Sequence, residues 1–199
     1  IMANVFAPHA VGASLASYLA NAYPDALRAR FPASFRLMSA NEINQAEDLG
    51  TTVALFLYRV TLNEHLRNVR PANVRQTENA PLALDLHYLV SIWADSALAE
   101  HTLMAWTMQA LYLRPVLSAS SLSPEAGWDA ADAVQIVPAE LSTEDLMRIW
   151  DALTPPYRLS VSYIARMVRI DAERVPDGLP VVASRLAYTA DLPVPETAA

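Results

Sequence analysis

The sequence contains no cysteine and no lysine, and all 14 of its basic residues are arginine. Without cysteine there is no disulfide, no thiolate nucleophile and no cysteine-ligated zinc or iron–sulfur site. Without lysine there is no Schiff base and no P-loop lysine. Only four glycines are present, and none stands in a G-x-G-x-x-G, P-loop or G-x-S-x-G arrangement. The usual sequence support for dinucleotide binding and for nucleophile-elbow hydrolysis is therefore missing.

Long apolar runs and an excess of basic charge are also absent. No apolar run reaches the roughly 18 residues that a membrane span requires. The start of the chain is apolar, but the spacing of Val11, Leu15 and Leu19 favours a core helix over a signal peptide. The net charge of −7 lacks the basic footprint of a general nucleic-acid binder. We therefore expect neither a membrane nor a nucleic acid as partner.

What is present is the composition of a globular protein with a substantial core. Apolar residues make up 53% of the 199 residues, and charged residues make up 18%. A chain of this length needs only one domain. We expect that domain over residues 1–175, followed by a C-terminal strand and tail over residues 176–199.

Strand and helix patterns alternate along the chain and predict an α+β, or mixed α/β, fold. The expected architecture is a single mixed or largely antiparallel sheet of about five strands with helices packed on it. Strands are predicted at residues 35–39, 51–63, 81–93, 133–139 and 157–171, with a further one at 181–189. Helices are predicted at residues 6–23, 40–48, 96–115 and 141–156, and exposed loops at 64–80 and 118–131.

Three of these elements have informative side-chain patterns. The strand at residues 51–63 is apolar on both faces, which predicts a central strand covered on both sides. The helix at residues 141–156 starts with an S-x-x-D box formed by Ser142 and Asp145. The helix at residues 96–115 is apolar around most of its circumference, so we expect it to be well buried. Its main stripe is Leu103, Met104, Met108 and Leu111, widened by Trp106, Ala110 and Leu113.

Asp85 and His87 lie two residues apart in the strand at residues 81–93. Because alternate side chains of a strand share a face, the two point the same way from Cα atoms about 6.6 Å apart. Such a pair can hold a metal or orient a general base, but it needs a third partner that no motif supplies. We favour the alternative, a polar strand face that is hydrogen-bonded within the sheet or covered by another subunit. No catalytic, cofactor or metal site is predicted.

Arginine side chains are the other candidates for contact with a partner. Arg59 follows the apolar part of the central strand, and Arg67, Arg70 and Arg75 decorate the loop after it. Arg158 lies on the polar side of the strand at residues 157–171. Such side chains can dock a partner through bidentate pairs with carboxylates, or they can simply be solvated. The candidate interface therefore consists of these five arginines together with Asp85 and His87.

Three stretches, taken in order, resemble one known family. They are TTVALFLYRVTLNEHLRN, PLALDLHYLVSIWADSALAEHTLMAWTMQALYLRPVL and LSTEDLMRIWDALTPPYRLSVSYIARMVRID. The set resembles the N-terminal domain of the tail terminator, or cap, protein of extracellular contractile injection systems of the anti-feeding-prophage type. The resemblance covers most of the chain, from the first helix to about Asp171. Some family members carry a further C-terminal domain, whereas 28 residues follow Asp171 here.

The resemblance implies a function that a search for catalytic motifs cannot give. It implies a fold similar to phage tail terminators and a non-enzymatic structural cap that ends the inner tube and the contractile sheath. Such a cap controls particle length and stabilises the distal end. The implied partners are further copies of the chain, expected to form a hexameric ring, and the tube and sheath proteins. The implied place is the cytoplasm during assembly, within a particle that can be released from the cell.

Three alternatives remain open on the sequence. One is a terminator or connector of an ordinary phage tail. Another, from a different class, is a small metal-dependent or hydrolytic enzyme using Asp85 and His87. The third is an adaptor that binds toxin cargo or an assembly chaperone.

Overall fold

A computed structural model describes residues 3–46, 48–63 and 81–170. The helices are α1 (Ala7–Ala22), α2 (Asp25–Arg30), α3 (Ala40–Gln45), α4 (Ala97–Leu113) and α5 (Thr143–Asp151). The strands are β1 (Ser34–Met38), β2 (Thr52–Leu62), β3 (Leu82–Trp93), β4 (Val116–Ser118), β5 (Ala133–Ala139) and β6 (Ser160–Ile170). None of the helices within these ranges is long and apolar enough to cross a membrane.

The six strands form one sheet in the order β1-β2-β3-β6-β5-β4. The β1–β2 pair is parallel, and all the other pairs are antiparallel. The predicted fold class, a largely antiparallel α+β sheet with helices packed on it, is confirmed. Strand β2 is an interior strand of the sheet, as its two apolar faces predict, because such a strand needs cover on both sides.

The first face of the sheet carries the larger core and is covered by α1 and α4. Alternate residues of β3, including Leu86, Tyr88 and Val90, are buried there, as the strand pattern predicts. Helix α1 approaches closely because Gly12 has no side chain. A Cβ at this position would stand 2.7 Å from Cδ1 of Leu37 and 3.1 Å from the hydroxyl of Tyr88. The Tyr88 hydroxyl donates to the carbonyl of Pro8 at 3.0 Å, which fixes the start of the helix on the sheet.

The second face carries a smaller core under α3 and α5. Ala54 of β2 and Leu89 and Trp93 of β3 are buried there with Trp150 of α5. The indole N–H of Trp150 donates to the hydroxyl of Ser160 at 3.2 Å, so this buried polar group keeps a partner. Trp106 of α4 is half-buried against the core of the first face. Because α3 and α5 are short, they cover only one end of the second face.

Serine side chains begin α3, α4 and α5. The Ser39 hydroxyl accepts from the backbone N–H of Glu42, and the Glu42 carboxylate accepts from that of Ser39, so α3 starts with a capping box. Ser96 caps α4 by accepting from the N–H of Ala99 at 3.3 Å. Ser142 caps α5 by accepting from the N–H of Asp145 at 3.0 Å, so the two residues of the predicted S-x-x-D box do begin the helix, and the Ser142 hydroxyl donates to the Asp145 carboxylate at 2.7 Å.

Several elements differ from the sequence predictions. Helix α2 and strand β4 were not predicted, and the region expected to be a loop at residues 118–131 contains two single-turn 3₁₀ helices, Ala119–Ser121 and Pro124–Ala126. Each is six residues long or shorter, so its periodicity is too brief to stand out. The predicted loop at residues 64–80 and the predicted strand at 181–189 lie outside the described residues.

Candidate interface surfaces

The end of the second face that α3 and α5 leave open carries Asp85 and His87. Leu84 of β3 pairs with Val168 of β6, and Leu86 pairs with Ala165. Asp85 therefore faces two residues of β6, Arg166 and Met167, in a β-bulge. Because of the extra residue in the bulge, Ala165 and Val168 lie on the same face of the sheet. The bulge also increases the local twist at this end of the strand.

Asp85 stabilises this bulge. Its Oδ1 accepts a hydrogen bond from the backbone N–H of Met167 at 3.1 Å. Met167 has a φ of 64°, a left-handed conformation that is uncommon for a long side chain. The Nδ2 of Asn63 donates to both carboxylate oxygens of Asp85, at 3.0 and 3.2 Å. The carboxylate thus links the ends of β2, β3 and β6.

His87 makes a separate set of contacts. Its Nε2 lies 3.0 Å from the hydroxyl of Thr61, and the ring of Tyr58 lies edge-on with centroids 6.0 Å apart. Partial burial lowers the pKa of His87 below its ordinary value, and the positive charges of Arg59 and Arg166 lower it further, against an opposing effect of Asp85. The ring is therefore held mostly neutral at pH 7 and acts as a hydrogen-bonding member of the sheet face.

The hydrogen bonds of Asp85 and His87 go to different partners, as expected of a polar strand face and not of an acid–base pair. Within residues 3–46, 48–63 and 81–170, no group of three or more His, Asp or Glu side chains could hold a metal ion.

The predicted arginines do not all lie together. Arg59 is exposed on β2 and pairs with His87 across the strands, so the structure joins it to the open end of the second face. Arg158 lies at the opposite end, where its guanidinium stacks 4.9 Å from the centroid of the Trp93 ring. Arg67, Arg70 and Arg75 lie outside the described residues. Their roles as interface residues remain predictions.

Helix α4 exposes an uncharged surface. Seven exposed residues share its outer side, here named the outer α4 face: Leu98, His101, Ala105, Met108, Gln109, Tyr112 and Leu113. Tyr112 is 82% exposed and Leu113 is 69% exposed. The prediction that this helix is well buried is wrong for Met108 and Leu113. Helix α4 is apolar on both sides, whereas a single chain covers only one of them.

A second exposed apolar surface lies at the ends of β2 and β3. Val60, Leu62 and Leu82, here named the strand-end patch, are each about half exposed. Val60 pairs with Leu86 and Leu62 with Leu84, so the patch continues the first face of the sheet beyond the part that is covered. The first face therefore changes from a buried core to an exposed apolar surface along the same two strands.

The profile of the Pvc16 N-terminal domain matches residues 10–184, which is most of the chain. The chain belongs to the Pvc16 N-terminal domain family. This confirms the family resemblance that the three sequence stretches indicated. A search of curated protein sequences finds no match.

Two solved structures share the fold of this Pvc16 N-terminal domain. One is the sheath/tube terminator of PVC, an extracellular contractile injection system, in the extended state: the TM-score is 0.57 at 18% identity, covering 96% of this chain and 66% of that one. The other is the tube-terminating cap of the anti-feeding prophage: the TM-score is 0.53 at 16% identity, covering 90% and 59%. The chain thus spans slightly less than two thirds of these structures. At such identities the likeness shows the fold.

Two features of this Pvc16 N-terminal domain were missed in the sequence. Arg166 is not among the predicted interface residues, because only the pairing of β3 with β6 brings it near His87. The outer α4 face was taken as buried because apolar residues surround the helix. The absence of charge on that side was the available signal.

Proposed function

We propose that the chain is a structural, non-enzymatic cap that ends the inner tube and the contractile sheath of a phage-tail-like injection particle. It limits particle length and stabilises the end that it covers. Membership of the Pvc16 N-terminal domain family over residues 10–184 carries this proposal. The shared fold with a sheath/tube terminator and a tube-terminating cap supports it.

The proposed cap is a closed ring of identical copies, expected to be a hexamer. A closed ring needs two different, complementary surfaces on each copy, since each subunit contacts its neighbours head to tail. Among the described residues, the outer α4 face and the strand-end patch are exposed apolar surfaces on different elements, besides exposed apolar residues elsewhere such as Val5 and Phe6. The polar surface around Arg59 and His87 lies on the other face of the sheet. We assign this surface to contact with a further partner. The cap assembles in the cytoplasm and leaves the cell only with the particle.

The chemistry of the open sheet end supports a structural role over an enzymatic one. Asp85 is engaged by Asn63 and by the Met167 backbone, and His87 by Thr61. A general base needs a free acceptor that reaches a reacting proton, whereas the Asp85 carboxylate and Nε2 of His87 are already engaged within the sheet. The alternative in which Asp85 and His87 perform catalysis therefore has less support than the cap.

Deletion of the gene tests the proposal. Without the cap we expect tubes and sheaths of widely varying length, or particles with frayed distal ends, in electron micrographs. Expression of the wild-type chain from a plasmid should restore uniform particles. Uniform, intact particles in the deletion strain would contradict the proposal.

Two further results discriminate the alternatives. The enzyme alternative predicts that Asp85→Asn and His87→Gln abolish an activity while particles stay uniform, so variants that change only particle assembly would exclude it. Tube, sheath, baseplate and AAA+ ATPase genes beside the coding sequence favour the injection particle, whereas capsid and terminase genes would favour an ordinary phage tail.

A further inference from the structure

The outer α4 face has the character of a buried surface. A helix that stays in water on one side normally carries charged residues there. The seven residues of this face include no Asp, Glu, Lys or Arg, and the polar ones are His101 and Gln109. An apolar, uncharged helix face of this kind is typical of a helix that another protein covers.

The size of the face fits one side of a stable contact. Leu98, Met108, Tyr112 and Leu113 are between 42% and 82% exposed. Together they offer roughly 500 Å² of apolar surface, within the range at which a patch on a monomer is often a binding surface. One side of a standard interface buries about 800 Å², of which a little over half is apolar. The apolar area of the outer α4 face is therefore about that of one partner's side in a standard interface.

The strand-end patch has matching chemistry and a different shape. Val60, Leu62 and Leu82 are aliphatic side chains on a twisted pair of strands, whereas the outer α4 face is a convex helical ridge. Neither surface would force the other to bury an unpaired charge, which is the main cost of a wrong pairing. A pleated strand surface against a helix is also how α1 and α4 already pack on the same sheet face within one chain.

From these observations we infer that the strand-end patch of one copy packs on the outer α4 face of the next copy, and that this contact closes the ring. The inference rests on the proposed ring-forming cap. Two unlike apolar surfaces on one chain are what a head-to-tail ring requires, since a two-fold dimer would use one surface twice. Permanent contacts between copies are also the more apolar class of interface. The polar surface around Arg59, His87 and Arg166 is then left for the tube or sheath.

Charge substitutions test each surface. Tyr112→Arg should reduce the assembled chain to a species of 21.8 kDa in light scattering, and Leu62→Arg should do the same. Leu98→Arg and Leu82→Arg provide a second pair, in case one of the first two fails to fold. Met147→Arg is the matched control, because Met147 is an exposed apolar residue of α5 outside both surfaces. It should leave the assembly unchanged, and a cooperative unfolding transition should confirm that each variant is folded.

Mixing the variants distinguishes a head-to-tail contact from a two-fold one. Tyr112→Arg keeps an intact strand-end patch, and Leu62→Arg keeps an intact outer α4 face. A one-to-one mixture should therefore form a complex of twice the 21.8 kDa chain mass and grow no further. Where the wild-type chain assembles in solution, a mixture that stays monomeric, or an assembly that survives both substitutions, would overturn the inference.

Cysteine cross-linking tests the contact on the particle itself, including the case in which the free chain is monomeric. Because the chain has no cysteine, two introduced thiols are the only reactive thiols in it. With a short bismaleimide, Leu62→Cys/Tyr112→Cys should give a ladder of linked chains ending at the ring size. Each single variant should give only one chain length. Dimers from a single variant, or no ladder from caps that are present on particles, would overturn the inference.

The same experiment separates this inference from the proposed function. If the chain is missing from particle ends, the proposed function fails. If the chain is present at particle ends but the double variant does not cross-link, only the assignment of the two surfaces fails.

Discussion

Helices α4 and α5 cover opposite faces of one sheet, and their outer sides differ in charge. Helix α5 exposes charged residues, including Glu144 and Arg148, whose side chains form an ion pair at 2.6 Å. Helix α4 exposes Leu98, Met108 and Tyr112. The inner side of α5 packs on the sheet through Trp150, and charged residues lie on its outer side. Helix α4 is apolar on both sides.

This difference in charge indicates that the inner sides of both helices stabilise the fold, whereas the outer side of α4 takes part in assembly. On the second face, the inner side of α5 supports folding, and its outer side only faces water. On the first face, both sides of α4 are apolar, but only the inner one has partners in the chain. Substitutions on the inner side of α4 should therefore lower the stability of the fold, and those on its outer side should impair assembly. Substitutions on α5 should affect the stability of the fold alone.

The largest expected effect is on the inner side of α4. Leu103 is fully buried, so Leu103→Ala should lower the free energy of unfolding by about 2–5 kcal/mol, because it removes methyl groups and leaves a cavity. Tyr112→Ala on the outer side should change it by less than about 0.5 kcal/mol in the monomer. Urea unfolding at a concentration where the chain is monomeric measures both. A large loss for Tyr112→Ala would show that the outer side supports the fold.

A smaller loss is expected at the open end of the second face. Asp85→Ala removes the acceptor for the Met167 N–H and for Asn63, so it should cost about 1–3 kcal/mol in urea unfolding. Asp85→Asn keeps an acceptor oxygen and should cost less. Met167→Gly should recover part of the loss, because glycine adopts a φ of 64° without a side-chain penalty. Equal losses for Ala and Asn at this position would mean that the hydrogen bonds do not stabilise the bulge.

Much of the fold could be predicted because several elements carry their own signals. Alternation predicted β3 over its observed length, and two apolar sides predicted that β2 is an interior strand. The S-x-x-D box and the apolar spacing predicted α5. In each case the pattern depends on residues that are near in sequence.

The candidate surfaces could be predicted only in part, because they depend on contacts between distant residues. The pattern placed Asp85 on a polar strand face, but its role requires the register of β3 with β6 and the bulge at Met167. Likewise, apolar residues all round α4 predict that the helix is buried, but they do not show which side packs within the chain. That side is decided by α1 and by the sheet, whose packing no local pattern contains.

Removing the serine caps compares how much the N-terminal cap of α4 and that of α5 contribute to the free energy of unfolding. Ser142→Ala removes the cap of the nine-residue helix α5 and should lower the free energy of unfolding by about 1 kcal/mol. Ser96→Ala removes the cap of the 17-residue helix α4, whose bond to the Ala99 N–H is longer, and should cost less. Urea unfolding of the two variants beside the wild type gives the comparison. A larger loss for Ser96→Ala would reverse the expected order.

The smallest expected effect concerns pH at the polar end of the second face. Burial first, then Arg59 and Arg166, lower the pKa of His87 against the opposing Asp85, so its folded-state pKa lies below the unfolded value of about 6.5. The unfolded chain therefore binds more protons in that window. The free energy of unfolding should fall as pH drops through about 6.5 and level off below the folded-state pKa. His87→Gln should remove this part of the pH dependence.

The contribution of His87 is measured as the difference between wild type and His87→Gln in urea unfolding from about pH 8 to about pH 5. Arg59→Gln is the graded variant: it removes one cause of the lowered pKa, so the pH-dependent loss should become smaller but not vanish. Because His87 is only partly buried, added salt should also reduce the part that is due to the arginines. A wild-type curve that parallels that of His87→Gln throughout this range would show that His87 is protonated equally in both states. The polar end would then contribute to stability through its hydrogen bonds alone.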